Sequence, residues 1–131
     1  MKSFLSYLAA LICILCITFV FVSAKGDKGR ELLISFGWDV DQYPISKEKI
    51  TIPTEFDKVY SEYNNIQHQA GLDLEQYKGQ KGTRYTYKVH NHPTSREDVV
   101  ANVIVINDKA VAGDICTYSL DGFMHSLRYS K

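Results

Sequence analysis

The chain has 131 residues, with 15 basic and 15 acidic side chains and a formal charge of zero, which is the length of one domain. Only Lys2 of these charges precedes Lys25, so the remainder sets 14 basic residues against 15 acidic ones. A nearly neutral domain has no electrostatic grip on a phosphate backbone and no basic run for an anionic bilayer surface. Nucleic acid is therefore excluded as a partner, as is attachment to lipid by charge alone.

Residues 4–22, FLSYLAALICILCITFVFV, carry no charge. As a helix they would extend about 28 Å, close to the hydrocarbon core of about 30 Å. A secretory apolar region is shorter, about 7–15 residues, which favours an uncleaved anchor. Against it stands VSA at 22–24, whose small residues suit signal peptidase. Residues 1–24 are thus expected to be an N-terminal membrane anchor or a signal peptide. The first alternative gives a single-pass transmembrane protein with its domain extracytoplasmic; the second gives secretion after cleavage following Ala24. The basic flank Lys25, Lys28 and Arg30 outweighs Lys2 and taken alone would turn the domain inward; the signal-like architecture points the other way. Ile12 and Leu15 before Cys13 and Cys16 exclude a lipoprotein. The C-x-x-C spacing of those two cysteines falls inside an apolar run, where thiols act as small apolar side chains. Cys116 is alone in the domain, so no disulfide staples it.

Residues 25–29 form a short spacer, and residues 30–131 the domain. The first element is a helix over about 28–36, with Leu32, Leu33 and Phe36 on one face and Gly37 as its terminating glycine. An extended Trp38-Asp39-Val40 follows. Residues 45–53 alternate Ile50 and Ile52 against Lys49 and Thr51 and stop at Pro53, the pattern of an edge strand. Residues 54–71 read as the longest helix. Thr54 is its expected N-cap with Asp57 three residues on, Phe56, Val59, Tyr60, Tyr63, Ile66 and Ala70 form its apolar stripe, and Gly71 ends it.

A turn-rich connection occupies 72–82. Strand 83–91 places Tyr85, Tyr87 and Val89 on one side. Strand 99–107 is apolar on both faces and so central. Asn107-Asp108 makes a hairpin turn into strand 109–118. The tail packs Leu120, Phe123, Met124 and Leu127 on the core as a turn and an irregular or helical piece. The expected fold is α+β: two helices packed on a small three- to four-stranded antiparallel meander, preceded by the transmembrane or signal helix.

Two constellations could carry chemistry. Cys116 and His125 lie nine residues apart across a Gly122 turn, close enough for a thiol–imidazole pair; a packed strand cysteine and a terminal histidine account for the same residues. His90 and His92, two apart on a strand, could share a metal ion, although zinc catalysis needs a third ligand and solvated loop histidines look the same. Asp114 reads as the end or bulge of a strand, and Asp121-Gly122 as a turn. Tyr60, Tyr63, Tyr85, Tyr87 and Tyr118 are expected to be core between helix and sheet, or else an exposed binding platform. Phosphate loops, calcium loops and serine-hydrolase elbows are absent from the sequence. No cofactor is implied.

The segments LLISFGWDVD, ITIPTEFDKVYSEYN, LDLEQYKGQKGTRYTYKV and AVAGDICTYSLDGFMHSL together resemble a bacterial family, mostly of Clostridia and related Firmicutes, known as a domain of unknown function (number forty-eight thirty). The resemblance spans most of residues 30–127. It implies an N-terminal membrane segment and a small extracytoplasmic domain, and it brings no activity or catalytic residue. The expected function is that of a non-enzymatic module, tethered to the cell membrane through residues 4–22 or exported, that binds an envelope protein, peptide or glycan. The alternative is a thiol enzyme or redox sensor using Cys116 with His125.

Overall fold

The computed structural model describes residues 28–119 and 121–129. The apolar segment 4–22, Cys13, Cys16 and Leu120 lie outside them. Among the described residues no helix is long and apolar enough to cross a membrane.

Helix α1 spans Lys28–Ser35. Gly37 ends it at a φ of 89°. The Gly37 N–H donates to the Ile34 carbonyl at 2.9 Å and the Trp38 N–H to that of Leu33 at 3.2 Å, the two bonds of a Schellman stop. Helix α2 spans Lys58–Gln69, and its N-cap is Asp57, whose carboxylate accepts the Tyr60 N–H at 2.8 Å. The expected start at Thr54 is corrected by this cap: the helix begins where a side chain first satisfies its orphan amides. Gly71, at a φ of 75°, ends it in the same way as Gly37 ends α1.

Among the described residues five strands make one antiparallel sheet in the order β1-β2-β3-β4-β5. They are β1 Ser46–Thr51, β2 Lys81–Lys88, β3 Val99–Ile106, β4 Lys109–Thr117 and β5 Met124–His125. The meander is as expected, but three or four strands become five. The piece expected to be irregular or helical is strand β5, because the turn at Ser119–Gly122 sends the chain back along β4, where Met124 pairs with Cys116 and His125 with Ile115. The Asn107-Asp108 turn has φ of 49° and 64°, the left-handed pair that a two-residue hairpin requires.

The two helices lie on opposite faces. Leu33 of α1 packs with Tyr87, Val99, Ala101, Val103 and Ile115. Across the sheet, Ile52, Leu74, Ile104, Ile106 and Ala112 form a second core, joined by Phe56, Tyr60 and Tyr63. The expected tyrosine cluster is therefore divided by the sheet. Tyr85 and Tyr87 belong to the α1 face, Tyr60 and Tyr63 to the α2 face, and Tyr118 is 72% exposed. Strand β5 pairs only with Ile115 and Cys116. Gln67 of α2 serves the β4 edge that it leaves open, its Oε1 accepting the Gly113 N–H at 2.8 Å.

Candidate functional site

The register of β2, β3 and β4 sets Thr86 opposite Asn102 and Asn102 opposite Asp114, all toward α2. This makes a polar row across an apolar sheet. The Thr86 hydroxyl donates to Asn102 Oδ1 at 2.7 Å. Asn102 Nδ2 donates to Asp114 Oδ1 at 3.1 Å and to Cys116 Sγ at 3.3 Å. From α2, the Tyr63 hydroxyl donates to Asp114 Oδ2 at 2.6 Å. Asp114 is only 2% exposed. Both carboxyl oxygens have donors, as a buried acid requires.

Burial dominates the electrostatics of the row. It raises Asp114 above the ordinary carboxyl value, against the lowering effect of the Tyr63 and Asn102 bonds. Burial, then the neighbouring Asp114, raises the Tyr63 phenol well above its usual value. The same two causes push the Cys116 thiol up to about 11.

Above this row opens a cleft of about 540 Å³ between α2 and the sheet. Its walls are largely apolar, including Ile50, Val59, Ile66 and Met124, while Asn102 and Asp114 line it from the sheet and Arg84 from β2. Arg84 is ion-paired with Glu48 of the neighbouring strand. An apolar cleft with a few convergent polar groups is the usual form of a small binding site.

The opposite face gathers the histidines differently from the sequence expectation. Cys116 and His125 are not brought together: adjacent partners in the β4–β5 ladder, they project to opposite faces of the sheet. His90 and His92 also separate. His90 is exposed, its Nε2 against Asp41 at 2.5 Å, whereas His92 is buried. The partner of His92 is His125, with the two Nε2 atoms 2.9 Å apart. Trp38 stacks on His92 at 5.7 Å, Phe123 at 4.8 Å, and Tyr129 stacks on His125 at 4.2 Å. The Trp38 indole N–H donates to the Leu127 carbonyl at 2.8 Å, closing the chain end over this face. Among the described residues no three or more His, Cys, Asp or Glu side chains gather as a metal site would need.

Sequence reasoning missed Asp114, Asn102 and Tyr63 as a unit. The available signal was two polar residues interrupting apolar strands on either side of one hairpin. A regular two-residue turn pairs Ile106 with Lys109 and would set Asn102 against Gly113. The bulge between Ile104 and Val105 shifts the pairing by one, so that Asn102 meets Asp114.

No curated protein and no solved structure matches the chain. A family match covers residues 32–115, from α1 through most of β4. It takes in Tyr63, Asn102 and Asp114 and stops before Cys116 and His125. The chain belongs to the family described as a domain of unknown function (DUF4830).

Proposed function

We propose that this protein is a non-enzymatic binding module of the cell envelope, held to the membrane through residues 4–22 with its domain outside the cytoplasm. Its ligand, an envelope protein, peptide or glycan, seats in the cleft between α2 and the sheet. The observation that carries this reading is the cleft: apolar walls over a hydrogen-bonded polar row, with Arg84 among its lining residues. The walls offer apolar area to a ligand. The row offers the remaining lone pairs of Asp114 and Asn102, held in place by Tyr63 and Thr86, so little ordering is needed on binding. The length of segment 4–22 and the short spacer 25–29 support the tether.

The chemistry of Cys116 argues against a thiol enzyme. A nucleophilic cysteine needs a lowered pKa and a base at hand. Cys116 is raised to about 11 by burial first and then by the neighbouring Asp114.

The test is saturation binding of the full-length protein, in detergent, to isolated envelope fractions, comparing wild type with Val59→Arg and Ile66→Trp. Saturable retention that falls at least about tenfold in both variants, the equivalent of about 1.4 kcal/mol, is the expected result. Absence of saturable retention on any fraction, or retention by both variants equal to that of wild type, overturns the reading.

A further inference from the structure

The imidazole pair on the α1 face has a determined proton arrangement. The Thr94 N–H donates to His92 Nδ1 at 3.2 Å, so that nitrogen is an acceptor and the proton of neutral His92 sits on Nε2. His125 Nδ1 lies 2.7 Å from the Ser126 carbonyl, which only accepts, so His125 carries its proton on Nδ1 and offers a bare Nε2. The 2.9 Å contact is therefore a bond donated by His92 to His125.

One additional proton fits. If His92 gains it on Nδ1, the Thr94 hydroxyl, 2.8 Å away, is there to accept, while the Thr94 N–H gives up its 3.2 Å bond to that nitrogen. Two additional protons do not fit, because each Nε2 would then carry a hydrogen aimed at the other. A buried contact between two cations is repulsive and loses its hydrogen bond as well.

Among the described residues neither imidazole has an ion-pair partner, and Glu97 is the one acid lining the pocket beside His92. Lys88, His90, Arg96 and Glu97 surround the pocket beside His92. His90 is held by Asp41 and Arg96 by Asp98. From the chain end, Tyr129 stacks on His125, and the Arg128 guanidinium lies over Phe36, 6.0 Å from the ring. Burial first, then His125, holds His92 below its ordinary value of 6.5. Such a group favours the folded state fully above 6.5, and that contribution is lost as pH falls from there through the folded value.

The pair also reaches the opposite face. His125 and Met124 are the whole of β5. One meets His92 and the other lines the cleft.

We propose that His92 and His125 form an acid-opened latch: their hydrogen bond holds β5 in place while the pair carries at most one extra proton, and double protonation releases β5 and withdraws Met124 from the cleft wall. The cleft is thereby regulated by pH from across the sheet. This rests on the binding reading only in giving the release a consequence. The experiment uses the protein without ligand, so its outcome is independent of whether the cleft binds anything.

Trp38 is the single tryptophan and stacks on His92; Met124 is one of two methionines, the other being Met1. A protonated imidazole quenches a stacked indole. Full-length protein in detergent is titrated from about pH 8 to about pH 4.5, across the ordinary histidine range, following Trp38 emission and the ¹³C-methyl resonance of Met124. The expected result is a fall in emission as His92 takes up the first proton, followed at lower pH by a shift of the Met124 methyl as the second is added. Imidazole ¹⁵N shifts at the high-pH end should show His92 protonated on Nε2 and His125 on Nδ1. In His125→Phe, which keeps a ring for Tyr129 to stack on, the Met124 shift disappears; in His90→Gln it remains. Flat emission, a Met124 methyl that does not shift on the second protonation, or the opposite tautomers in wild type overturns the proposal. The last two readouts need no variant, so a misfolded His125→Phe leaves the proposal decidable.

Discussion

The two faces of the sheet bury polar groups by different means. On the α1 face, two imidazoles satisfy each other inside an aromatic stack, and the chain end closes over them through the Trp38–Leu127 bond. On the α2 face, a carboxyl is satisfied by a tyrosine and an asparagine, and the space above remains an open cleft. The closed face is packed; the open face leaves a cleft of about 540 Å³. The difference follows from what each helix covers. Gly29 lets α1 lie against Val103, where an added Cβ would meet Val103 Cγ1 at 2.5 Å. Helix α2 instead reaches the β4 edge through Gln67 and leaves Val59 73% exposed.

The sharpest break of this comparison is a pair of truncations. Leu127, 1% exposed and against Gly113, should cost about 2–5 kcal/mol when changed to Ala. Val59→Ala on the cleft wall should change stability by less than about 0.5 kcal/mol. Urea unfolding of the two variants measures both. Equal losses would mean that the cleft wall is core, and the asymmetry of the faces would be gone.

The next effect is kinetic. In protein carrying Cys13→Ala and Cys16→Ala, Cys116 is the sole thiol. A thiol raised from 9.0 to about 11 supplies about a hundredfold less thiolate near pH 8 than an ordinary one. Alkylation should be slower by about that factor in the folded protein than after denaturation. Equal rates would reinstate Cys116 as a reactive thiol.

Much of the fold was legible because it is local. Gly37 and Gly71 are helix stops, Asn107-Asp108 is a hairpin turn, and the apolar run at 99–106 is the central strand; each is decided within a few residues. What the sequence hid is relational. Nothing in the spacing of His92 and His125, 33 residues apart, announces their contact; it depends on a two-residue strand formed only after the chain reverses. Asp114 looked like a strand end because an acid in a strand interior is costly unless paired, and its partners come from another strand and from α2. The single-residue shift at the bulge decides whether Asn102 meets Asp114 or a glycine, and no local pattern fixes it.

A smaller effect separates the faces by pH. Asp114 is raised by burial, so its contribution to stability is complete below its ordinary value of 3.8 and is lost as pH rises through the folded value. The Tyr63 hydroxyl favours the carboxylate and limits that rise. Tyr63→Phe should therefore cost about 1–2 kcal/mol near neutrality and less at about pH 2.5, where the acid is largely protonated in both states. Asp114→Asn should abolish this pH dependence of the Tyr63→Phe cost. A cost that is constant with pH would show that the Tyr63 hydroxyl does not bias the titration of Asp114.

The smallest effect lies at Arg84. Its guanidinium acts on Tyr63, Asp114 and Cys116 in the same lowering direction, and in each case it is the last of the causes. Its ion pair with Glu48 joins two largely exposed side chains on adjacent strands, an arrangement usually contributing under about 1 kcal/mol. Arg84→Gln should thus leave stability within about 1 kcal/mol of wild type and slow Cys116 alkylation only slightly. Salt should weaken Arg84's influence in wild type, because exposed charges are screened within about 3 Å at 1 M ionic strength. A loss above about 2 kcal/mol would place Arg84 in the structural core of the α2 face. The cleft would then be a packed interior like the face across the sheet, and the contrast between the two would fail at a side chain that is 44% exposed.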